Sequence, residues 1–257
     1  MNNNLLLLLL LGHVLGDFYF QNDGLAKGKQ EDLSQLFLHG GIYFLTSIFL
    51  VVPLGQLQAL LVVGIVTLGH LVIDFIKYRV GKRIQSNHYT KIDRQLKQWD
   101  EQGVIYLVDQ LIHLAFMLGV VTIYSRTNVS PIYWNLPFGK WLIRNDVLGY
   151  VLAILVILKP TNITFRALFS QNKPADEVTF VKDLKTGKRI GNMERLLILA
   201  FLAMNQYTAI GLVFTAKSFT RYKRIIEDTA FAEYYLLGTL FSILATLGVY
   251  MLIFVIK

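Results

Sequence analysis

Long apolar runs separated by short polar stretches organise this chain. A bilayer demands about 20 consecutive apolar residues in a helix that crosses it. By that measure the runs predict membrane helices over 4–20, 36–54, 57–77, 104–124, 145–159, 194–215 and 233–256. The expected fold class is all-α, a polytopic transmembrane bundle of about six or seven membrane helices.

The same pattern predicts three parts along the chain. Residues 1–125 form a four-helix membrane core that bears His and Asp residues. Residues 126–193 hold an aromatic loop, a short membrane segment and a cytoplasmic hairpin-like loop, the hairpin being predicted by alternation over 177–182 before a turn at Gly187. Residues 194–257 form a C-terminal pair of membrane helices.

Composition and charge place the chain in a membrane and suggest its orientation. Hydrophobic residues make up 54% of the chain, charged residues only 16%, and the mean hydropathy is +0.48. Basic residues concentrate in the 78–102 loop, which the positive-inside rule places in the cytoplasm, with the N-terminus outside. We therefore expect a multi-pass membrane protein.

Strict alternation of the spans fails near the C-terminus. If every span crosses, the basic 217–224 segment falls outside, against the positive-inside rule. Either the short segment 145–159 or the segment 194–215, with polar Asn205 and Gln206 at its centre, then enters the membrane only halfway. The sequence leaves both alternatives open.

Ionisable pairs lie inside three of the apolar segments. His13 pairs with Asp17 and His70 with Asp74 in nearly repeated sequences, and Asp109 pairs with His113 in reverse order. Each pair has i,i+4 spacing, so both side chains share one helix face. Ionisable groups inside a membrane helix are costly, and such pairs indicate a functional site. At 1.5 Å per residue the pairs and His39 lie at one level, in the cytoplasmic half of the bilayer.

Imidazole and carboxylate groups at one level are typical of metal centres in helix bundles. Seven candidates exceed the four ligands of a structural zinc site, which favours one or two divalent ions of zinc, manganese or iron together with acid/base partners. The absence of cysteine excludes thiolate ligands and disulfides. The predicted ligands are His13, Asp17, His39, His70, Asp74, Asp109 and His113, with Asp17, Asp74 and Asp109 also predicted as catalytic.

Other polar residues have less specific predicted roles. Gln21, Tyr43, Lys77 and Gln110 fall beside the predicted ligands and could orient them, although each is also typical of an interfacial anchor. Near the C-terminus, Arg195, Lys217 and Arg221 could bind an anionic head group, or serve only as juxtamembrane charges.

The motifs resemble a bacterial membrane family catalogued only as a domain of unknown function. They read His13-x-x-Gly16-Asp17-Phe18-x-x-Gln21, Lys27, His39, His70-x-x-x-Asp74-x-x-Lys77 and Asp109-Gln110-x-x-His113. Longer members resemble this chain at Glu194-Arg195, Ala216-Lys217-Ser218, Glu233-Tyr234 and Gly238-Thr239-Leu240-x-Ser242. The resemblance implies site positions and a place in the bacterial inner membrane, but not a reaction.

The function expected from these residues is metal-dependent hydrolysis of an amphiphilic substrate. A lipid or prenyl phosphate ester and an intramembrane peptide are the candidate substrates, membrane lipid is the other expected partner, and no nucleic acid is expected. A proton or divalent-cation transporter is the first alternative, although the outer halves of these helices are apolar. A bis-histidine haem protein and a structural bundle held by His–Asp contacts are the remaining alternatives.

Overall fold

The structure, a computed structural model, describes residues 3–86, 91–127, 145–169, 172 and 177–255. These residues form ten α-helices and no β-strand, which confirms the expected all-α class. The helices are α1 Asn3–Val14, α2 Asp23–Glu31, α3 Leu33–Val51, α4 Leu57–Ser86, α5 Lys91–Arg126, α6 Asn145–Phe169, α7 Glu177–Ala203, α8 Tyr207–Thr220, α9 Tyr222–Glu227 and α10 Thr229–Tyr250.

Several of these helices are built to cross a membrane. Five among the described residues are long and apolar enough, namely Leu33–Leu54, Leu57–Lys82, Gly103–Arg126, Asp146–Phe169 and Thr229–Val255. A sixth span results if α1 and α2, which pass the same test together, count as one broken span. The chain is a multi-pass membrane protein with five or six candidate spans in this part of the chain.

Contacts divide the chain into two compact units, Met1–Leu152 and Ala153–Lys257, so the division falls inside α6. In the first unit α3 packs against α1, α2 and α4, and α4 packs against α5. This arrangement places four long apolar helices around a common interior. The three-part division at 125 and 193 stays a prediction.

The first helix ends in an irregular turn and a sharp bend. After α1 the chain continues as a π-helical turn over Leu15–Phe20, and α2 then leaves at 96° to this segment. Asn22 accepts a hydrogen bond from the Leu25 amide (2.7 Å) and so caps α2. The polar stretch between the predicted spans 4–20 and 36–54 is therefore not a loop, because it contains α2, which begins after the Asn22 N-cap.

Asp32 provides the corresponding cap for α3. Its carboxylate accepts hydrogen bonds from the Ser34 amide (3.0 Å) and the Ser34 hydroxyl (2.9 Å). These two bonds favour the charged form and hold the pKa of Asp32 below its usual range. α3 therefore begins at a defined residue directly after α2.

The loop expected over 78–102 is wrong as well. α4 continues to Ser86 and α5 begins at Lys91, so the basic residues beyond the apolar run extend the helices. Adding a residue to an existing helix costs far less than starting a new one, which explains why a polar sequence continues here. Residues 87–90, and residues 128–144 of the predicted aromatic loop, lie outside the described residues.

The second unit corrects the predicted hairpin. Residues from Glu177 onward form α7, a continuous helix that runs into the apolar sequence up to Ala203. Six alternating residues fit a strand only weakly, and a strand needs a partner, whereas the adjacent apolar helix can extend through them. Gly187 lies inside this helix and so marks no turn.

The segment 194–215 is broken, whereas 145–159 belongs to a long helix. α7 ends at Ala203, Asn205 adopts a left-handed φ of 56°, and α8 begins at Tyr207. Asparagine tolerates this conformation better than most residues, which explains the break. The predicted continuous span over 194–215 is therefore wrong.

α6 extends through Pro160, beyond the predicted end at 159. Proline has no N–H to donate to the carbonyl of Val156. The Thr161 hydroxyl donates to that carbonyl instead (2.9 Å), so the backbone group stays satisfied and the helix continues to Phe169. A second neighbouring carbonyl, that of Ile157, accepts from the Arg195 side chain (2.6 Å).

Small residues let α1 approach α3 closely. A Cβ at Gly12 would lie 2.9 Å from Ser47 Oγ and 3.4 Å from Ser47 Cα, and one at Gly16 would lie 2.9 Å from Tyr43 Cδ2. Glycines four residues apart on one face are the usual device for close helix packing in membranes. His13 and Asp17 each directly follow one of these glycines, so the packing positions both.

We expect Gly12→Leu to lower the free energy of unfolding by about 1–3 kcal/mol, as overpacking does elsewhere. Thermal unfolding in detergent measures the change. Gly64→Leu is the matched control, because a Cβ there would meet nothing within 4 Å. Equal losses for both variants would show that the α1–α3 approach is not the cause.

Candidate metal centre

The first unit gathers its ionisable side chains in one buried cluster. His13 and Asp17 come from α1 and the π turn, His39 from α3, and the rest from α4 and α5. Asp17 lies within the π-helical turn, and such turns occur frequently at functional sites. The structure brings together all seven predicted ligands, which form three overlapping groups that could hold a metal: His13, Asp17 and His70; His39, His70 and Asp74; Asp74, Asp109 and His113.

Four donor atoms at the centre of the cluster form two triangles that share the edge between His39 and His70. The Nε2 atoms of His39 and His70 lie 3.1 Å apart, and Asp17 Oδ1 lies 3.4 Å from each of them. Asp74 Oδ2 lies 3.6 Å from each Nε2. Five of the six distances among these four atoms therefore fall between 3.1 and 3.6 Å.

Each of the two triangles that these atoms form, His39–His70–Asp17 and His39–His70–Asp74, matches one face of a tetrahedral ligand shell. With metal–ligand bonds of about 2.0–2.1 Å, neighbouring ligand atoms of a tetrahedron lie about 3.3 Å apart. Two imidazole nitrogens and two carboxylate oxygens are also ligands that zinc, manganese and iron accept. The geometry and the donor types of these four side chains therefore both fit a divalent ion.

A looser group continues from the other oxygen of Asp74. Asp74 Oδ1 lies 4.0 Å from His113 Nε2, and Asp109 Oδ1 lies 3.8 Å from His113 Nδ1. His113 Nδ1 also lies 2.8 Å from the Asp109 carbonyl oxygen, so the N–H is on Nδ1 and the lone pair is on Nε2. Asp74 thus presents one oxygen to each group, as a bridging carboxylate does.

Five atoms of the cluster have no hydrogen-bond partner among the described residues, namely His13 Nδ1, Asp17 Oδ1, His39 Nδ1, His70 Nδ1 and His113 Nε2. Asp17 Oδ1 and His113 Nε2 are buried and accept no hydrogen bond from any described residue. A buried acceptor that is left unpaired is costly, so such atoms indicate a missing ligand or ion. A metal held by the cluster would satisfy Asp17 Oδ1 and His113 Nε2.

Two lysines balance part of the negative charge. Lys29 Nζ donates to Asp74 Oδ2 (2.9 Å), and Lys77 Nζ donates to Asp109 Oδ2 (2.6 Å). Lys77 was predicted beside the ligands, but Lys29 was missed because α2 was read as a loop. Its signal was helical spacing, since Lys29 follows the buried Leu25 by four residues and so shares its face.

The other predicted neighbours have different surroundings. Gln110 Oε1 lies 3.3 Å from His13 Nε2, and the ring of Tyr43 stacks on the His70 ring with centroids 4.0 Å apart. Both residues therefore help to orient a histidine. Gln21 is half-buried, and its Oε1 has no hydrogen-bond partner among the described residues.

The predicted head-group residues lie in the second unit. The buried Arg195 donates to the Ile157 carbonyl (2.6 Å) and to the side chains of Ser242, Asn162 and Asn192 at 3.0, 2.9 and 2.7 Å. Lys217 donates to Glu194 (2.7 Å) and Thr239 (3.0 Å). These two side chains are therefore largely engaged within the protein, while Arg221 lines a cavity that they share.

Comparison with known proteins gives a family for this chain. The model described as "Protein of unknown function (DUF3307)" matches residues 5–137. The chain belongs to this family. The match includes every helix that contributes to the cluster, so the His/Asp centre lies inside the family domain. No curated protein and no solved structure matches the chain.

Proposed function

We propose that the cluster binds a divalent metal ion and that the protein is a metal-dependent membrane hydrolase. The observation that carries the proposal is the spacing of the donor atoms of His39, His70, Asp17 and Asp74, which form two triangles with edges of 3.1–3.6 Å. Structural interhelical contacts require only pairs of groups, whereas each of these triangles has the edge lengths of a coordination shell.

In this proposal one part of the cluster binds the ion and the other part accepts a proton. A bound ion of this class lowers the pKa of a coordinated water to about 7, which supplies a nucleophile at neutral pH. When His113 holds no second ion, its Nε2 lone pair can accept a proton, because its Nδ1–H is directed to a backbone carbonyl. Asp109, paired with Lys77, orients and stabilises that imidazole when it becomes charged.

A second ion fits the same proposal. Asp74 can bridge the tight set, formed with His39, His70 and Asp17, and the looser group of Asp109 and His113. Its two oxygens face different histidines. Carboxylate-bridged pairs of metals are common in helix bundles and in phosphate-ester hydrolases. We therefore propose up to two ions per chain, the first bound by the tight set and the second more weakly.

The position of the cluster favours a closed site over a transport path. Towards the opposite ends of α1, α3 and α4, the described interior holds fully buried apolar residues. These include Leu5, Leu9, Val51, Ala59 and Val63. The buried polar groups there, those of Ser47, Gln56 and Thr67 among them, are not ionisable, whereas cation and proton paths are usually lined by ionisable groups through both halves of the membrane.

The alternative of a haem centre fits the distances poorly. The Nε2 atoms of His39 and His70 are only 3.1 Å apart, which is too close for a porphyrin plane between them. Asp17 and Asp74 lie next to these histidines. Their carboxylates are usual ligands of hard or borderline metal ions and not of haem iron.

Hydrolysis in reconstituted vesicles tests the proposed activity. We expect metal-loaded protein to release product from at least one of three substrates, a prenyl phosphate ester, a phospholipid or an intramembrane peptide. A chelator should reduce the rate to that of empty vesicles, and manganese, zinc or iron should restore it. Metal uptake into sealed vesicles without hydrolysis of any of the three substrates would instead support the transporter.

A further inference from the structure

A cavity in the second unit is separate from the metal centre. It has a volume of about 790 Å³, within the range of about 300–1,000 Å³ that is typical of ligand pockets. Residues of α6, α7, α8 and α10 line it. Much of the wall is aromatic. Phe165 packs against Tyr234 and Phe241, with ring centroids 5.6 and 5.5 Å apart.

The cavity lies where two candidate spans end. Phe165 and Arg166 belong to the last turn of the span Asp146–Phe169, and Tyr234 lies in the second turn of the span Thr229–Val255. The ends of membrane spans lie at the level of the lipid head groups, where tyrosine and basic residues concentrate. An amphiphile at this level would place its head in a polar layer and its chain in an apolar one.

The charged residues that line the cavity are all cationic, and one of them, Lys217, is paired with the buried Glu194. Five cationic residues line it, and no lining residue in the described part of the chain is acidic. The five are Arg166, Lys188, Arg195, Lys217 and Arg221. Arg166 and Lys188 are exposed, so their charged groups can turn towards a bound anion.

The buried arginine adds a fixed donor. Arg195 has five N–H groups and uses four of them on Ile157, Asn162, Asn192 and Ser242. The remaining N–H is on the Nη1 nitrogen, and a Cβ at Gly191 would lie only 3.4 Å from that atom. Gly191 therefore leaves the guanidinium open to the cavity, which both residues line.

We propose that this cavity binds one anionic lipid, with its phosphate at the cationic residues and a chain against the aromatic wall. The aromatic wall and the cationic lining together select for such an amphiphile. This site stands independently of the metal centre, since it uses no residue of the cluster.

Native mass spectrometry of the detergent-purified full chain tests the proposal. We expect one phosphatidic acid to bind per protein, and phosphatidylcholine with the same chains to bind much more weakly. The variant Arg166→Gln/Lys188→Gln should weaken phosphatidic acid binding about tenfold or more. The matched control Arg189→Gln/Lys223→Gln removes two exposed charges that do not line the cavity, and its affinity should stay within about twofold of wild type.

A second pair of variants tests the apolar part of the cavity. A Cβ at Gly238 would lie 3.4 Å from Phe165 Cζ, so Gly238→Leu should fill the space and remove binding. Gly248→Leu on the same helix is the control, because a Cβ there meets nothing within 4 Å. Unchanged binding in both glycine variants, together with displacement by inorganic phosphate, would indicate a free-phosphate site and overturn the proposal. Equal affinity of every variant would also overturn it, since it would indicate a nonspecific lipid shell.

Discussion

Replacing His70 by alanine is expected to reduce the metal content of the purified protein from at least one ion per chain to near zero. His70 Nε2 lies within 3.1–3.6 Å of the donor atoms of His39, Asp17 and Asp74, so its loss opens the proposed coordination shell. Loss of an outer partner alone costs about 10–100-fold in metal affinity, and loss of a ligand should cost more. Elemental analysis, with and without added metal, measures the effect.

Thr67→Val is the matched control for this variant. Thr67 lies one turn from His70 on α4, is 5% exposed, and its hydroxyl has no hydrogen-bond partner among the described residues. Valine has nearly the same shape, so metal content should stay at the wild-type level. Full metal content in correctly folded His70→Ala protein would sink the proposed centre. Equal loss in both variants would attribute the effect to damage of α4.

The seven residues of the cluster could be predicted because their spacing carries the information. His13 with Asp17 and His70 with Asp74 each share a helix face, whatever the rest of the fold does. Counting 1.5 Å per residue from the polar stretches predicts a common depth, and the structure brings the seven side chains together in one cluster. Which oxygen of Asp74 faces which histidine depends on the packing of four helices, so a local sequence pattern does not predict it.

The irregular parts of the fold could not be predicted in the same way. The 96° bend after the π turn depends on where α2 packs, so the sequence of α2 looks like that of a polar loop. The left-handed Asn205 interrupts an apolar run that resembles a single span. Both features depend on a local backbone choice that packing stabilises, whereas hydropathy averages over many residues.

Lys29 had no predicted role in the cluster, and its replacement gives the second large prediction. We expect Lys29→Met to lower the free energy of unfolding of the metal-free protein by about 3–5 kcal/mol. Lys29 is the ammonium bonded to Asp74, and both side chains are buried, at 10% and 3% exposed. Removing one partner of a buried ion pair leaves the other charge without compensation, which causes a loss of that size. Thermal or denaturant unfolding in detergent, after treatment with a chelator, measures it.

Added metal should restore part of this stability, because a divalent ion in the cluster supplies positive charge next to Asp74. Binding at 100 times the dissociation constant stabilises a folded protein by about 2.7 kcal/mol. Lys27→Met is the control, since Lys27 is exposed on the same helix and its loss should change little with or without metal. A cluster held only by His–Asp contacts predicts the other result, in which metal leaves the stability of Lys29→Met unchanged. The two outcomes distinguish a metal centre from a structural one by a measurement that needs no knowledge of the substrate.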